Sequence, residues 1–134
     1  MNVTIENICF DCADAYTLGQ FWSQVLGLPL ADDDFAGDPA ASIRLPSGQT
    51  LYFLGVPEPK TVKNRVHLCL RPQTTRDGEL ERLLGLGATI VDDRRELTED
   101  GGWAVLADPE GNEFCLLRSP AEREAWLQAR AAAG

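Results

Sequence analysis

Apolar residues recur along the chain with two different spacings, and the switches between them divide it into elements. The opening run V3-T-I-E-N-I-C-F10 is rich in apolar and branched side chains and predicts a strand. From Ala15 the spacing becomes helical: Leu18, Phe21, Trp22, Val25 and Leu26 fall on one face, with Trp22 in the core and Gly27 ending the helix. Residues 28–30 read as a short extended piece despite Pro29, and 41–45 and 49–56 as strands joined by an L-P-S-G turn. The acidic stretch Asp32, Asp33, Asp34 and Asp38 between them reads as solvated connection, since no companion metal ligands stand at helical or strand spacing. Residues 3–56 thus form a β-α-β-β-β module.

The same order begins again after a polar, proline-bearing connector at 57–63. R65-V-H-L-C-L-R71 alternates as a strand; Leu80, Leu83 and Leu84 mark a short helix ending near Gly85 or Gly87; 88–92, 103–107 and 112–117 are strands. V25-L-G-L28 corresponds to L84-G-L-G87, and L45-P-S-G-Q-T-L-Y-F53 to A107-D-P-E-G-N-E-F-C-L116. A second module therefore spans 64–118. In D108-P-E-G111 the acids read as turn residues, because Pro109 restricts the backbone and Gly111 permits a left-handed conformation. Ser119, Pro120 and Glu122 then give the start signals of a helix over 119–132, with Trp126 as its docking anchor against the body or a partner subunit. The fold class is α+β: two βαβββ modules forming one curved mixed sheet around a cleft, with a C-terminal helix, all within a single domain over 1–134.

Composition narrows the partners. The chain has 21 acidic and 12 basic side chains, a net charge of -9, so it lacks the concentrated positive charge that nucleic acid or an anionic membrane surface requires. No run approaches the length of a membrane span, and the opening has no leader pattern. Four cysteines in a chain with an adequate core fit reduced thiols and a cytoplasmic location better than disulfide staples. Phosphate-binding and dinucleotide glycine motifs are absent, as is the G-x-S-x-G nucleophile pattern.

The repeated order, together with F21-W-S-Q-V-L-G-L28, K63-N-R-V-H-L68 and D108-P-E-G-N-E-F-C115, resembles the vicinal oxygen chelate superfamily, and more closely its glyoxalase-like domain proteins of the glyoxalase/bleomycin resistance/dioxygenase type. The resemblance covers roughly residues 3–118. It implies a fold shared by metal-dependent lyases, isomerases, ring-cleaving dioxygenases, thiol transferases and metal-free drug-binding proteins, and it implies a homodimer. In members that use a metal, four side chains hold it, one on the first and one on the last strand of each module. The matching positions here are Asn7, Tyr52, His67 and Cys115. Only His67 is of the usual type, and an amide, a phenol and a thiol suit a hard divalent ion poorly, so neither metal nor cofactor is expected.

Strand alternation gives a separate reading of the cleft. Val66, Leu68 and Leu70 form an apolar row for the helices, which leaves Arg65, His67, Cys69 and Arg71 facing the cleft. Asn7 shares a face with Cys9, Tyr52 with Leu54, and Cys115 with Leu117. The ligand-binding candidates are Asn7, Cys9, Tyr52, Leu54, His67, Cys69, Trp103 and Cys115, with Trp103 packing or closing over a planar ligand behind the E99-D-G-G102 approach. The three thiols of Cys9, Cys69 and Cys115 fit simple packing; a reactive thiol and a Cys-His zinc site are the other readings, although a close cysteine pair in sequence is lacking. His67 is either a hydrogen-bond partner or a general acid/base, and Glu113 a solvated edge residue or a peripheral acceptor. The function expected is metal-independent binding of a small molecule in a mostly apolar cleft. The alternative is a lyase or isomerase acting through His67, with or without a weakly held divalent ion.

Overall fold

Short polar side chains and glycines set the helix ends. In the computed structural model, which describes residues 2–96 and 102–134, Asp14 caps α1 (Ala15–Leu26) by accepting from the Thr17 amide, and Gly27 closes it at φ 66°. Thr75 accepts from the Gly78 amide at the start of α2 (Arg76–Leu86), and Gly87 closes it at φ 117°. Ser119 and Glu122 form a reciprocal capping box on α3 (Pro120–Ala133), with Pro120 in its first turn.

The chain divides into two units, Met1–Val62 and Lys63–Gly134. The first holds β1 (Asn7–Cys12), α1, β2 (Ala40–Arg44) and β3 (Thr50–Gly55); its sheet order is β1-β3-β2, with β1 parallel and β2 antiparallel to β3. The second holds β4 (Leu68–Leu70), α2, β5 (Thr89–Arg94), β6 (Trp103–Ala107), β7 (Glu113–Leu116) and α3, with order β4-β7-β6-β5. Here β4 runs parallel to β7, and β6 antiparallel to both β7 and β5. The repeat seen in sequence is therefore a repeat of pairing: in each unit the first strand lies parallel to the last. The α+β class stands, with one mixed sheet in each unit and a C-terminal helix.

Both cores follow from alternation. In the first unit Leu51, Phe53, Ala41 and Ile43 alternate inward and meet the apolar face of α1, where Leu18, Phe21, Trp22 and Val25 are buried. Phe10 stands edge-on to Trp22 at 5.7 Å and to Phe53 at 5.4 Å. Gly19 permits the close approach, since a Cβ there would lie 2.9 Å from Leu30 Cδ2 and 3.2 Å from Ala41 Cβ. In the second unit Leu80 and Leu83 of α2 are buried along with Ala104, Leu106, Phe114 and Leu116.

Three strand expectations are corrected. The first strand begins at Asn7, not Val3, because the ladder with β3 starts where Thr50 stands opposite Asn7; Val3 and Ile5 are exposed. Residues 28–30 reduce to a single Leu30–Ile43 bridge, because Pro29 brings no amide to a ladder. The strand read over 65–71 shrinks to Leu68–Leu70, whose pairing starts at Phe114; Val66 is 79% exposed and joins no inward row. Of the approach to Trp103, residues 99–101 lie outside the described residues. Trp126 is half-buried, with the guanidinium of Arg130 at 4.9 Å and that of Arg118 at 6.0 Å over its ring. Among the described residues no helix is long and apolar enough to cross a membrane.

Candidate functional site

In the first unit, parallel register sets Asn7 opposite Thr50, Cys9 opposite Tyr52 and Asp11 opposite Leu54. Paired residues share a face, so Asn7, Cys9, Tyr52 and Leu54 stand together on the side turned away from the inward row of Leu51 and Phe53. Asn7, Cys9 and Leu54 are exposed and Tyr52 is half-buried. Two features of this face escaped the sequence reading. Asp11 belongs to it, with its carboxylate 3.9 Å from the Cys9 thiol; the same period-two rule finds it once the strand is known to continue past Phe10. A groove of about 370 Å³ is lined by Leu30, Asp32, Ser42, Arg44 and Thr50 among others, and Ser42 pairs with Tyr52 across the ladder.

The second unit gathers His67, Cys69 and Cys115. Cys69 lies directly opposite Cys115 in the β4–β7 ladder, and the imidazole joins them so that the three potential donor atoms lie within 4.8 Å of one another. His67 and Cys69 are exposed, whereas Cys115 is buried at 7%. Burial, and then the neighbouring Cys69, push the Cys115 thiol up to about 11, so it stays protonated at neutral pH. Burial also raises the Cys9 thiol, helped by the Asp11 carboxylate.

Three residues before His67, a clasp that the sequence reading missed ties the chain to the start of β7. The Asn64 amide donates to the Glu113 carboxylate at 2.8 Å, the Glu113 amide donates to Asn64 Oδ1 at 2.9 Å, and Asn64 Nδ2 donates to Asn112 Oδ1 at 3.3 Å. Lys63 Nζ adds a 3.8 Å ion pair to Glu113. Glu113 is thus a structural acceptor, correcting its reading as a solvated edge residue. The turn reading of D108-P-E-G111 holds: buried Asp108 accepts from the Glu110 and Asn112 amides, and Gly111 sits at φ 87°. Trp103 is half-buried with Arg94 5.4 Å over its ring, so a cation already covers one face of the indole. Buried Arg76, also unread in sequence, donates to the Gly102 carbonyl and to Asp77.

At the four positions matched by resemblance, the donor types do not suit a hard metal. Magnesium, calcium and manganese take carboxylate, carbonyl and water oxygens; here Asn7 is an exposed amide, Tyr52 a phenol and Cys115 a buried protonated thiol, which leaves His67 alone as a usual ligand.

Two repeats, each with its first strand parallel to its last and one helix on the sheet, define the vicinal oxygen chelate architecture. The chain matches the family model of the glyoxalase-like domain over residues 7–117 and belongs to that family. No curated protein matches its sequence. Among solved structures it is similar to a possible glyoxalase from Bacillus cereus, with 16% identity and a TM-score of 0.65 over 86% of this chain and 98% of that one. A glyoxalase/bleomycin resistance protein/dioxygenase family enzyme from Burkholderia phytofirmans PsJN gives 16% and 0.64 over 85% and 97%. The fosfomycin resistance protein FosX from Mesorhizobium loti gives 16% and 0.65 over 93% and 99%. At these identities the likeness is one of fold.

Proposed function

We propose that the protein binds a small molecule without the hard divalent ion that metal-using members of its superfamily employ. One observation supports the reading: none of Asn7, Tyr52, His67 and Cys115, the residues that the resemblance matches to the superfamily's four metal positions, is a carboxylate. The surfaces on which these residues stand also carry Cys9, Leu54 and Cys69, a set that offers apolar and polarizable contact with a few hydrogen-bonding groups to orient a ligand. The net charge of -9 favours a neutral or cationic ligand over an anionic one. The bleomycin and fosfomycin resistance named for similar structures supports a panel weighted toward antibiotics and aromatic metabolites.

The test is fluorescence titration of the full chain in chelator, with three tryptophans as reporters. Saturable binding that weakens in Tyr52→Ala supports the reading; no saturation by any compound in a broad panel counts against it. The second reading, a lyase or isomerase with His67 as general acid/base, draws on the exposed imidazole flanked by two thiols. It requires that turnover of a discovered substrate be lost in His67→Ala; full turnover without that imidazole removes it.

A further inference from the structure

Packing accounts for Cys115, which is buried, but not for His67 and Cys69, which are exposed beside it. We propose that His67, Cys69 and Cys115 form a binding site for a thiophilic metal ion of the zinc class, built wholly within residues 63–134. The donors are of the kind zinc prefers, two sulfurs and one imidazole nitrogen, their potential ligand atoms already lie within 4.8 Å of one another, and binding displaces the thiol protons to solvent. Metal–sulfur and metal–nitrogen bonds of zinc imply donor separations of roughly 3.5–3.8 Å in a tetrahedron, so closure asks for a movement of about 1 Å. The two exposed side chains can supply it by rotation, while Cys115 is held in the β7 ladder.

The close cysteine pair that the sequence lacks is made by strand register, which sets Cys69 opposite Cys115 across 46 positions of chain (115 − 69). The Asn64 clasp holds the segment before His67 against β7, so the third donor is not left on a free loop. Three protein donors leave a fourth position for water or an external ligand, which is the pattern of an open zinc site. This site differs from the superfamily's arrangement, because it recruits Cys69, uses no residue of the first unit and selects a soft or borderline ion. It does not depend on the small-molecule reading: that test is run in chelator, and this one contains no organic ligand.

The probe is cobalt(II), titrated into the full chain kept reduced by a phosphine. The expected result is saturation at one equivalent, with a near-ultraviolet thiolate-to-cobalt charge-transfer band that zinc abolishes by displacement. Cys69→Ser and His67→Ala alter exposed positions and keep the fold, as far-ultraviolet circular dichroism should show; each is expected to weaken cobalt binding roughly tenfold or more, and Cys69→Ser also to diminish the charge-transfer band. Cys9→Ser, in the first unit, is expected to bind as the parent does. Absence of a charge-transfer band at about 1 mM cobalt, or a band unchanged in both Cys69→Ser and His67→Ala, overturns the proposal.

Discussion

Replacing Asn64 by alanine removes the side-chain half of the clasp and leaves its backbone half in place. The lost bonds are the 2.9 Å contact from the Glu113 amide to Asn64 Oδ1 and the longer 3.3 Å contact from Asn64 Nδ2 to Asn112. A neutral hydrogen bond is worth about 1 kcal/mol net, and a half-buried donor left without its partner costs about 1–3 kcal/mol. The first contact dominates, so the substitution is expected to destabilise the chain by ~2 kcal/mol. For a chain of this length that corresponds to a fall of roughly 6–10 °C in the thermal midpoint. Urea unfolding followed by tryptophan fluorescence measures the loss. Hydrogen exchange at Leu68–Leu70 then tests its location, since β4 is short and its pairing with β7 begins just beyond the clasp. A loss under about 0.5 kcal/mol, with exchange in β4 unchanged, would refute the view that the Asn64 side chain ties the segment before His67 to β7.

Three further outcomes follow from packing and charge. Gly19→Leu overfills the contact of α1 with Leu30 and Ala41 and is expected to cost about 2–3 kcal/mol by urea midpoint, whereas Gly19→Ala stays within about 1 kcal/mol because the gain in helix propensity offsets the crowding; equal costs would contradict this. Asp108→Ala leaves the Glu110 and Asn112 amides without their buried acceptor and should lower stability by about 2–4 kcal/mol, a prediction that a loss below 1 kcal/mol rules out. The Glu122 carboxyl is pushed up by burial, but hydrogen bonds from the Ser119 and Arg76 amides outweigh burial and hold it below its ordinary value. Its contribution is therefore present above the ordinary carboxylate pKa and lost as pH falls through the lowered folded value, so the thermal midpoint should drop more steeply in acid for the parent than for Glu122→Gln. Parallel curves would remove that role.

The parts of the fold legible in the sequence were those set by local rules. The helices over Ala15–Leu26 and Pro120–Ala133 carry their own stripes or caps, and the D-P-E-G turn its own chemistry. Strand ends were less legible, because a strand stops where its partner stops: Val3 and Ile5 have suitable side chains but no neighbour on β3. The same holds for the candidate site. Alternation put Asn7, Cys9, Tyr52 and Leu54 on one face, which the register reproduces. The Asn64–Glu113 clasp joins residues 49 positions apart (113 − 64), and the Cys69–Cys115 pairing depends equally on register; neither leaves a periodic signal. Arg76 was illegible for a related reason, since its burial depends on the Gly102 carbonyl that receives its guanidinium.

The central claim, that ligand binding in this glyoxalase-like protein proceeds without a hard divalent ion, is tested most directly by one comparison. The full chain is titrated with the same compound panel in chelator and again in excess magnesium or manganese. The expected result is saturable tryptophan quenching by at least one neutral or cationic compound, with the same affinity in both conditions and a weaker one in Tyr52→Ala. Binding that appears only when the ion is added would contradict the claim and return the protein to the metal-dependent branch of its superfamily.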